Sequence, residues 1–455
     1  LTADTARTPL TGAQKLLAAG LTLAVSLIAF DSTSLVTALP TITEDLHGDS
    51  LYGVTLASYT LANLLALVAG GRLADRRGPR PTFLIAIAVF VSGLVVAALA
   101  PAMAIVVLGR VLQGLGAGAL QPISYVLVRR AFPEDRQPMI YVYLSSGWVL
   151  PSLLAPAFAG VVTDVFGWRW VFAGLIPLAI AVAVIATPPM RHFGPTSAGD
   201  DGDERRILTA AVATTGIAMF IFGIRSPESW VVVTTVVIGI ALALPSLRRL
   251  LPPGVHRARV GQPAVLTCRL LATATFIGVD GFVPLAADRI HGAQPVVQGF
   301  TIVGAALSWT GGAALSAKRV DIVPRRAVRA GFVMLLIGVA ATAPVLWSTW
   351  PLWAVFIGWA IGGFGMGLLF NPTTVAAMSY ADGGNDGLVS SQVQLVDALG
   401  FSLMGGIGGA LVAYADRHDV GLQGPLAVAF SLAAACAITG IVASSRVRGA
   451  VPTAD

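Results

Sequence analysis

The chain has 455 residues, 56% of them apolar and only 11% charged, with a mean hydropathy of +0.80 and a formal net charge of +6. A soluble domain carries about 25% charged residues, and a water-exposed surface of this size cannot be clothed with so few. The apolar residues also run in unbroken blocks, such as 84–100 and 207–224, that contain no charge. Roughly 20 such residues cross a bilayer as a helix. Lipid offers no water to unpaired backbone groups, so helices are the form it dictates: an all-α, polytopic membrane protein.

In chain order the predicted spans are 14–38, 51–73, 82–100, 103–130, 138–163 and 168–188, then 207–224 and 230–247, then 263–287, 295–316, 327–346, 351–378, 387–414 and 424–444. A polar linker holding Asp200, Asp201, Asp203 and Glu204 precedes the middle pair, and a basic one follows it. The expected organisation is an N-terminal six-helix bundle (1–190), a linker with two extra spans (191–262) and a C-terminal six-helix bundle (263–455). With both termini in the cytoplasm, 22 of the 29 basic residues face inward, against Arg169, Arg225, Arg289 and Arg417 on the opposite side. This is the positive-inside bias. Were either middle block not to span, every later loop would invert and the bias would collapse. The bias also explains the net charge through the inner leaflet rather than through nucleic acid.

The first block, from about Leu16, is long and runs straight into Phe30-Asp31-Ser32-Thr33-Ser34-Leu35, so it reads as a retained helix rather than a cleaved leader. Cys268 and Cys436 lie in apolar blocks and read as packing residues, with no disulfide framework. Lys15 and Lys318 are the only lysines, an arginine-rich usage typical of a high-GC bacterial genome.

Three acids lie well inside spans: Asp31, Asp280 and Asp397; the five histidines all fall in loops. A carboxyl in a partly dry cavity, where desolvation disfavours the charged form, can load a proton in one state and release it in another. Asp31 is expected as the main proton site, its proton affinity modulated by Arg110, with Asp280 and Asp397 behind it. The plainer readings are a bond from Asp31 to a hydroxyl such as Ser34, a helix break at Asp280-Gly281, and an arginine partner for Asp397. Between the second and third spans stands Gly71-Arg72-Leu73-Ala74-Asp75-Arg76-Arg77-Gly78-Pro79-Arg80. Gly71 permits close helix approach, Gly78 lets a very short loop turn, and Asp75 can sit at the positive N-terminal end of another helix. Arg76, Arg77 and Arg80 also read simply as topology anchors. The fourth span carries Leu108-Gly109-Arg110-Val111-Leu112-Gln113-Gly114-Leu115-Gly116-Ala117-Gly118. Arg110 costs about 2.5–3.5 kcal/mol in lipid unless it meets a partner or a cavity. Helical periodicity aligns it with Gln113, Gln121 and Ser124 on one polar stripe; the competing reading has Arg110 near the outer end, snorkelling.

Candidate substrate contacts are Tyr59 with Asn63 and Gln121 with Tyr125, each pair spaced i, i+4, together with Trp309, Asn371 and Gln394 from the other half. Such sparse polar points in a mainly apolar pocket suit an amphiphile. No glycine-rich phosphate loop is present, so ATP is not the expected energy source. No histidine or cysteine cluster meets a membrane acid, which argues against an enzyme, and no extramembrane domain argues for a receptor.

These stretches resemble signatures of the major facilitator superfamily. Residues 71–80 resemble its cytoplasmic loop motif, with Pro79 a departure, and 108–118 resemble the arginine-bearing motif of its drug:proton antiporters. Phe30 to Pro40 and Gly167-Trp168-Arg169-Trp170-Val171-Phe172 resemble motifs of the fourteen-helix branch. The fifth-span antiporter motif departs further: around Pro151, Pro156 and Gly160, alanines replace two of the family's glycines. The resemblance implies two pseudo-symmetric bundles plus two inserted helices. It also implies that Asp75 latches the halves against the eleventh family helix, near Gly387. The implied activity is proton-coupled efflux of amphiphilic small molecules by alternating access, from a functional monomer in a bacterial cytoplasmic membrane. Protons would be the coupling ion, with no metal or other cofactor. The alternative is export of a lipid or endogenous metabolite.

Overall fold

The computed structural model describes residues 8–48, 51–195, 203–224, 228–318, 324–382 and 384–448; Asp200, Asp201 and Arg225, and Arg7 and Arg319 of the inward-facing set, lie outside them. Among the described residues there are helices and no strands. The first eight α-helices are α1 (Gly12–Asp45), α2 (Tyr52–Arg77), α3 (Pro79–Ala98), α4 (Met103–Ala131), α5 (Gln137–Ser146), α6 (Val149–Phe166), α7 (Arg169–Ala173) and α8 (Leu175–Ala186). They are followed by α9 (Asp203–Gly223), α10 (Ser229–Leu250), α11 (Gln262–Asp280), α12 (Val283–Arg289), α13 (Pro295–Lys318), α14 (Pro324–Thr342), α15 (Leu352–Met378), α16 (Asp386–His418) and α17 (Gln423–Ser444). Among the described residues, fourteen segments are long and apolar enough to cross a membrane; α5 with α6, α7 with α8 and α11 with α12 each make one of them. Large apolar side chains such as Leu99, Phe166, Trp170, Val237 and Trp353 stand exposed on the outer faces, which water would not tolerate on this scale and lipid requires.

The chain divides into two compact units, Leu1–Leu208 with Ala381–Ser391, and Thr209–Tyr380 with Gln392–Asp455. The expected boundaries at 190 and 262 therefore differ from this division twice. The inserted α10 and most of α9 fall in the second unit, and a short stretch of the C-terminal half belongs to the first. In the first unit α4 packs between α2 and α3, while α1 packs on α6 and α8; in the second, α15 packs on α13 and α14, and α11 on α17. Gly216 of α9 and Gly239 of α10 meet backbone to backbone, so a Cβ at either would run into the other helix.

Three local features matter for the site. Gly78, at φ +86°, is the only residue between α2 and α3, and Pro79 then opens α3 at a position where its missing N–H costs nothing. The fifth span breaks at Gly147 and Trp148, upstream of Pro156. Pro156 is exposed, and a Cβ on Gly160 would meet nothing within 4 Å. Only Pro151 of the three is buried. The predicted span 263–287 breaks where its sequence reads Asp280-Gly281: α11 ends at Asp280 and α12 restarts at Val283.

Candidate functional site

In the first unit Asp31 of α1 and Arg110 of α4 form an ion pair, Nη1 donating to Oδ2 at 2.8 Å, with both side chains almost wholly enclosed. The same Nη1 donates to Oε1 of Gln113, one turn along α4, and the guanidinium lies 4.1 Å from the centroid of the Tyr59 ring. Arg110 is thus not a snorkelling residue, and Ser34 does not hold Asp31: its hydroxyl is buried without a partner. Two donors of the cluster, Arg110 Nε and Gln113 Nε2, are also buried and unpartnered. α4 reaches this depth because Gly114 and Gly118 lie directly against the Tyr59 and Asn63 carbonyls of α2. Of the remaining stripe, Ser124 bonds its own helix at Leu120 and packs rather than lining a cavity, while Gln121 is half-buried.

The second charged cluster of the first unit surrounds the α2–α3 turn. Both oxygens of Asp75 accept from the Gly387 N–H at 3.0 Å, in the first turn of α16, where helical N–H groups have no intrahelical partner and the dipole favours an anion. Gly71 and Gly387 meet backbone to backbone, so a Cβ on either would collide with the other's carbonyl. Arg130 Nη2 reaches Asp75 at 3.2 Å and its Nε reaches Asp386 at 2.8 Å, while Arg129 Nε takes the other Asp386 oxygen at 3.0 Å. Ser390 donates to the Pro122 carbonyl at 2.8 Å. Arg76 is exposed and Arg80 half-buried.

In the second unit Arg269 of α11 is fully buried. It grips both oxygens of Asp397 on α16, donates to the Phe370 carbonyl (2.9 Å) and the Thr374 hydroxyl (2.7 Å), and lies 3.6 Å from the Phe370 ring centroid. Asp280 has a different environment: its Oδ1 accepts from Trp359 Nε1 of α15 at 2.8 Å. Among the described residues no cation pairs with it. Of the predicted substrate contacts, Tyr59 belongs to the Arg110 cluster, Asn63 is half-buried on α2, and Tyr125 packs on Tyr141 at 5.3 Å between centroids. Trp309 packs between Phe276 and Phe370, with its Nε1 buried and unpartnered. Asn371 is buried, bonded to the Ala313 carbonyl and with an unpartnered Oδ1, and Gln394 is nearly buried.

The family model described as Major Facilitator Superfamily matches residues 21–203. A probable multidrug-efflux transporter of Mycobacterium tuberculosis is 27% identical over 441 residues, covering 92% of both chains. The tetracenomycin C resistance and export protein of Streptomyces glaucescens is 29% identical over 84% of this chain and 73% of its own. Among solved structures, the human organic anion transporter MFSD10 superposes with a TM-score of 0.71 at 14% identity, over 96% of this chain and 100% of its own. The proton:xylose symporter XylE gives 0.68 at 13% over 94% of each. The N-terminal part of the chain thus matches the major facilitator superfamily, and the whole chain has that fold. Over most of its length it is similar to drug-efflux members of that superfamily.

Four residues of the charged clusters did not stand out in the sequence: Arg129 and Arg130 are simply two of the 22 inward-facing basic residues, Asp386 lies between the predicted spans 351–378 and 387–414, and Arg269 lies in the span 263–287. The one available signal was Arg269 itself, an expensive charge inside an apolar block that required a partner.

Proposed function

We propose that the protein is a proton-coupled exporter of hydrophobic or amphiphilic small molecules, a monomer working by alternating access in a bacterial cytoplasmic membrane with both termini inside. The observation that carries the reading is the enclosed Asp31–Arg110 pair. An ionised Asp31 neutralises the guanidinium; a protonated one no longer does, and a charge as poorly solvated as Arg110 must then find other compensation. Its unpartnered Nε and the Nε2 of Gln113 are placed to receive an acceptor. Proton loading therefore changes what Arg110 and Tyr59 face, which is how a carboxylate couples to a second ligand. Asp75, bonded to the first turn of α16, serves in this reading as the latch that one conformation makes and the other breaks. The names of the efflux relatives support the substrate class.

The test is a proteoliposome assay with ethidium as the transported dye and an imposed pH gradient. Gradient-driven movement in the parent and its loss in Asp31→Asn are expected. Movement that ignores the gradient, or an Asp31→Asn protein that still follows it, would overturn proton coupling at this site.

A further inference from the structure

The two halves of the chain share a register. The separation between Asp31 and Asp280 equals that between Arg110 and Trp359, and Gly109, Gly114, Gly116 and Gly118 of α4 map at the same separation onto Gly358, Gly363, Gly365 and Gly367 of α15. The packing follows the sequence. Gly114 and Gly118 lie on α2 carbonyls as Gly363 and Gly367 lie on α13 carbonyls, while Gly109 and Gly358 face α3 and α14. Each unit therefore presents a first-helix aspartate to the same point of its fourth helix. What stands at that point differs. In the first unit it is Arg110, and Asp31 is closed off in an ion pair. In the second it is Trp359, which gives Asp280 one N–H and no positive charge. Gly362 occupies the place of Gln113, and the Trp359 ring lies where a side chain there would go.

We infer that Asp280, with Trp359, Phe276 and Trp309, forms a recognition site for the positive centre of a bulky organic cation. Trp359 is fully buried, while Asp280 and Trp309 remain partly open. The Phe276 ring packs 5.1 Å from both indoles, stacked on Trp359 and edge-on to Trp309. A carboxylate without its own cation, set among aromatic rings, attracts a cation by charge and by the ring quadrupoles, whereas it repels an anion. A metal ion is the wrong occupant: it needs several oxygen or nitrogen ligands, and no group of three or more histidine, cysteine or acidic residues occurs among the described residues. A quaternary or phosphonium centre carries no hydrogen-bonding shell to replace, so one carboxylate and aromatic faces suffice. Trp309 Nε1, buried and unpartnered, adds one donor for an acceptor atom on the ligand. This inference deepens the export reading by assigning the charge of the substrate, and it divides the acids: Asp31 for the proton, Asp280 for the cation.

The experiment measures equilibrium binding to the full-length protein in detergent, without any gradient, so a failure of proton coupling cannot masquerade as a failure of this site. The probes are tetraphenylphosphonium and its neutral relative triphenylphosphine oxide. Asp280→Asn is expected to weaken tetraphenylphosphonium binding by about tenfold or more, some 1.4 kcal/mol, and to leave the neutral probe within about twofold. Trp359→Arg, which rebuilds in the second unit the pair seen in the first, is expected to do the same. On the parent protein, saturating tetraphenylphosphonium should protect Asp280 from modification by dicyclohexylcarbodiimide, and triphenylphosphine oxide should not. Unchanged phosphonium affinity in folded Asp280→Asn, equal loss of both probes, or modification of Asp280 that phosphonium does not slow would each overturn the assignment.

Discussion

Replacing Arg269 with methionine leaves Asp397 inside the second unit with a single remaining side-chain partner, the Thr273 hydroxyl at 3.2 Å. The parent arginine supplies that carboxylate with donors to both oxygens and also serves the Phe370 carbonyl and the Thr374 hydroxyl. Stranding one member of a buried pair costs about 3–5 kcal/mol. At roughly 2–4 °C per kcal/mol for a body of this size, the melting temperature should fall by roughly 6–20 °C. The double substitution Arg269→Met with Asp397→Leu strands no charge: the Phe370 carbonyl keeps the Thr373 and Thr374 hydroxyls, and the half-buried Thr273 hydroxyl alone loses its acceptor. It should melt within about 1 kcal/mol of the parent, a coupling of at least about 2 kcal/mol. Cys268, buried and reduced beside Arg269, provides the readout through a maleimide dye that fluoresces when unfolding exposes the thiol. A single variant melting within about 2 °C of the parent, or a double variant worse than the single, would refute the reasoning.

Gly71→Ala pushes a methyl into the Gly387 carbonyl; a cost of about 1–3 kcal/mol is expected, seen as lost dye export at normal membrane levels of protein. Tyr59→Phe should leave export near normal, since the hydroxyl only accepts a 3.4 Å bond from Ser32. Tyr59→Ala removes the ring beneath Arg110 and forfeits about 0.5–2 kcal/mol, read as a lower melting temperature with a weaker response to the pH gradient. Gly78→Ala strains a φ of +86° and should cost about 1–2 kcal/mol in the same melt.

The class of the molecule was plain in its sequence because lipid imposes a coarse rule, long apolar runs with charges at their ends, that needs no contact map. Asp75 and Gly387 were legible for a different reason: a lone acid in a basic loop and a glycine at a helix start each have few physical uses. Pairings across the bundle were legible in part. Arg110 required a partner and was set against Asp31, whereas Asp397 called for an arginine that the order of residues did not identify as Arg269. Trp359 was invisible, since a tryptophan in an apolar run is ordinary until the acid beside it is seen to lack a cation. The fifth-span motif is a weaker guide for the converse reason: small residues permit close contact but do not compel it, and Pro156 is exposed while a Cβ on Gly160 would meet open space.

The first unit is discontinuous, closed by residues 381–391, and this sets an order on its birth. A nascent chain that has delivered α1 to α8 into the membrane still lacks Asp386, Gly387 and Ser390. Asp75 and Arg130 can pair with each other, but the Asp386 carboxylate that Arg129 and Arg130 share and the Gly387 N–H that Asp75 takes are missing while the inserted pair and most of the second half are made. The first unit to be synthesised is thus completed late, and a polypeptide truncated before residue 386 should insert but remain an easy target for membrane proteases.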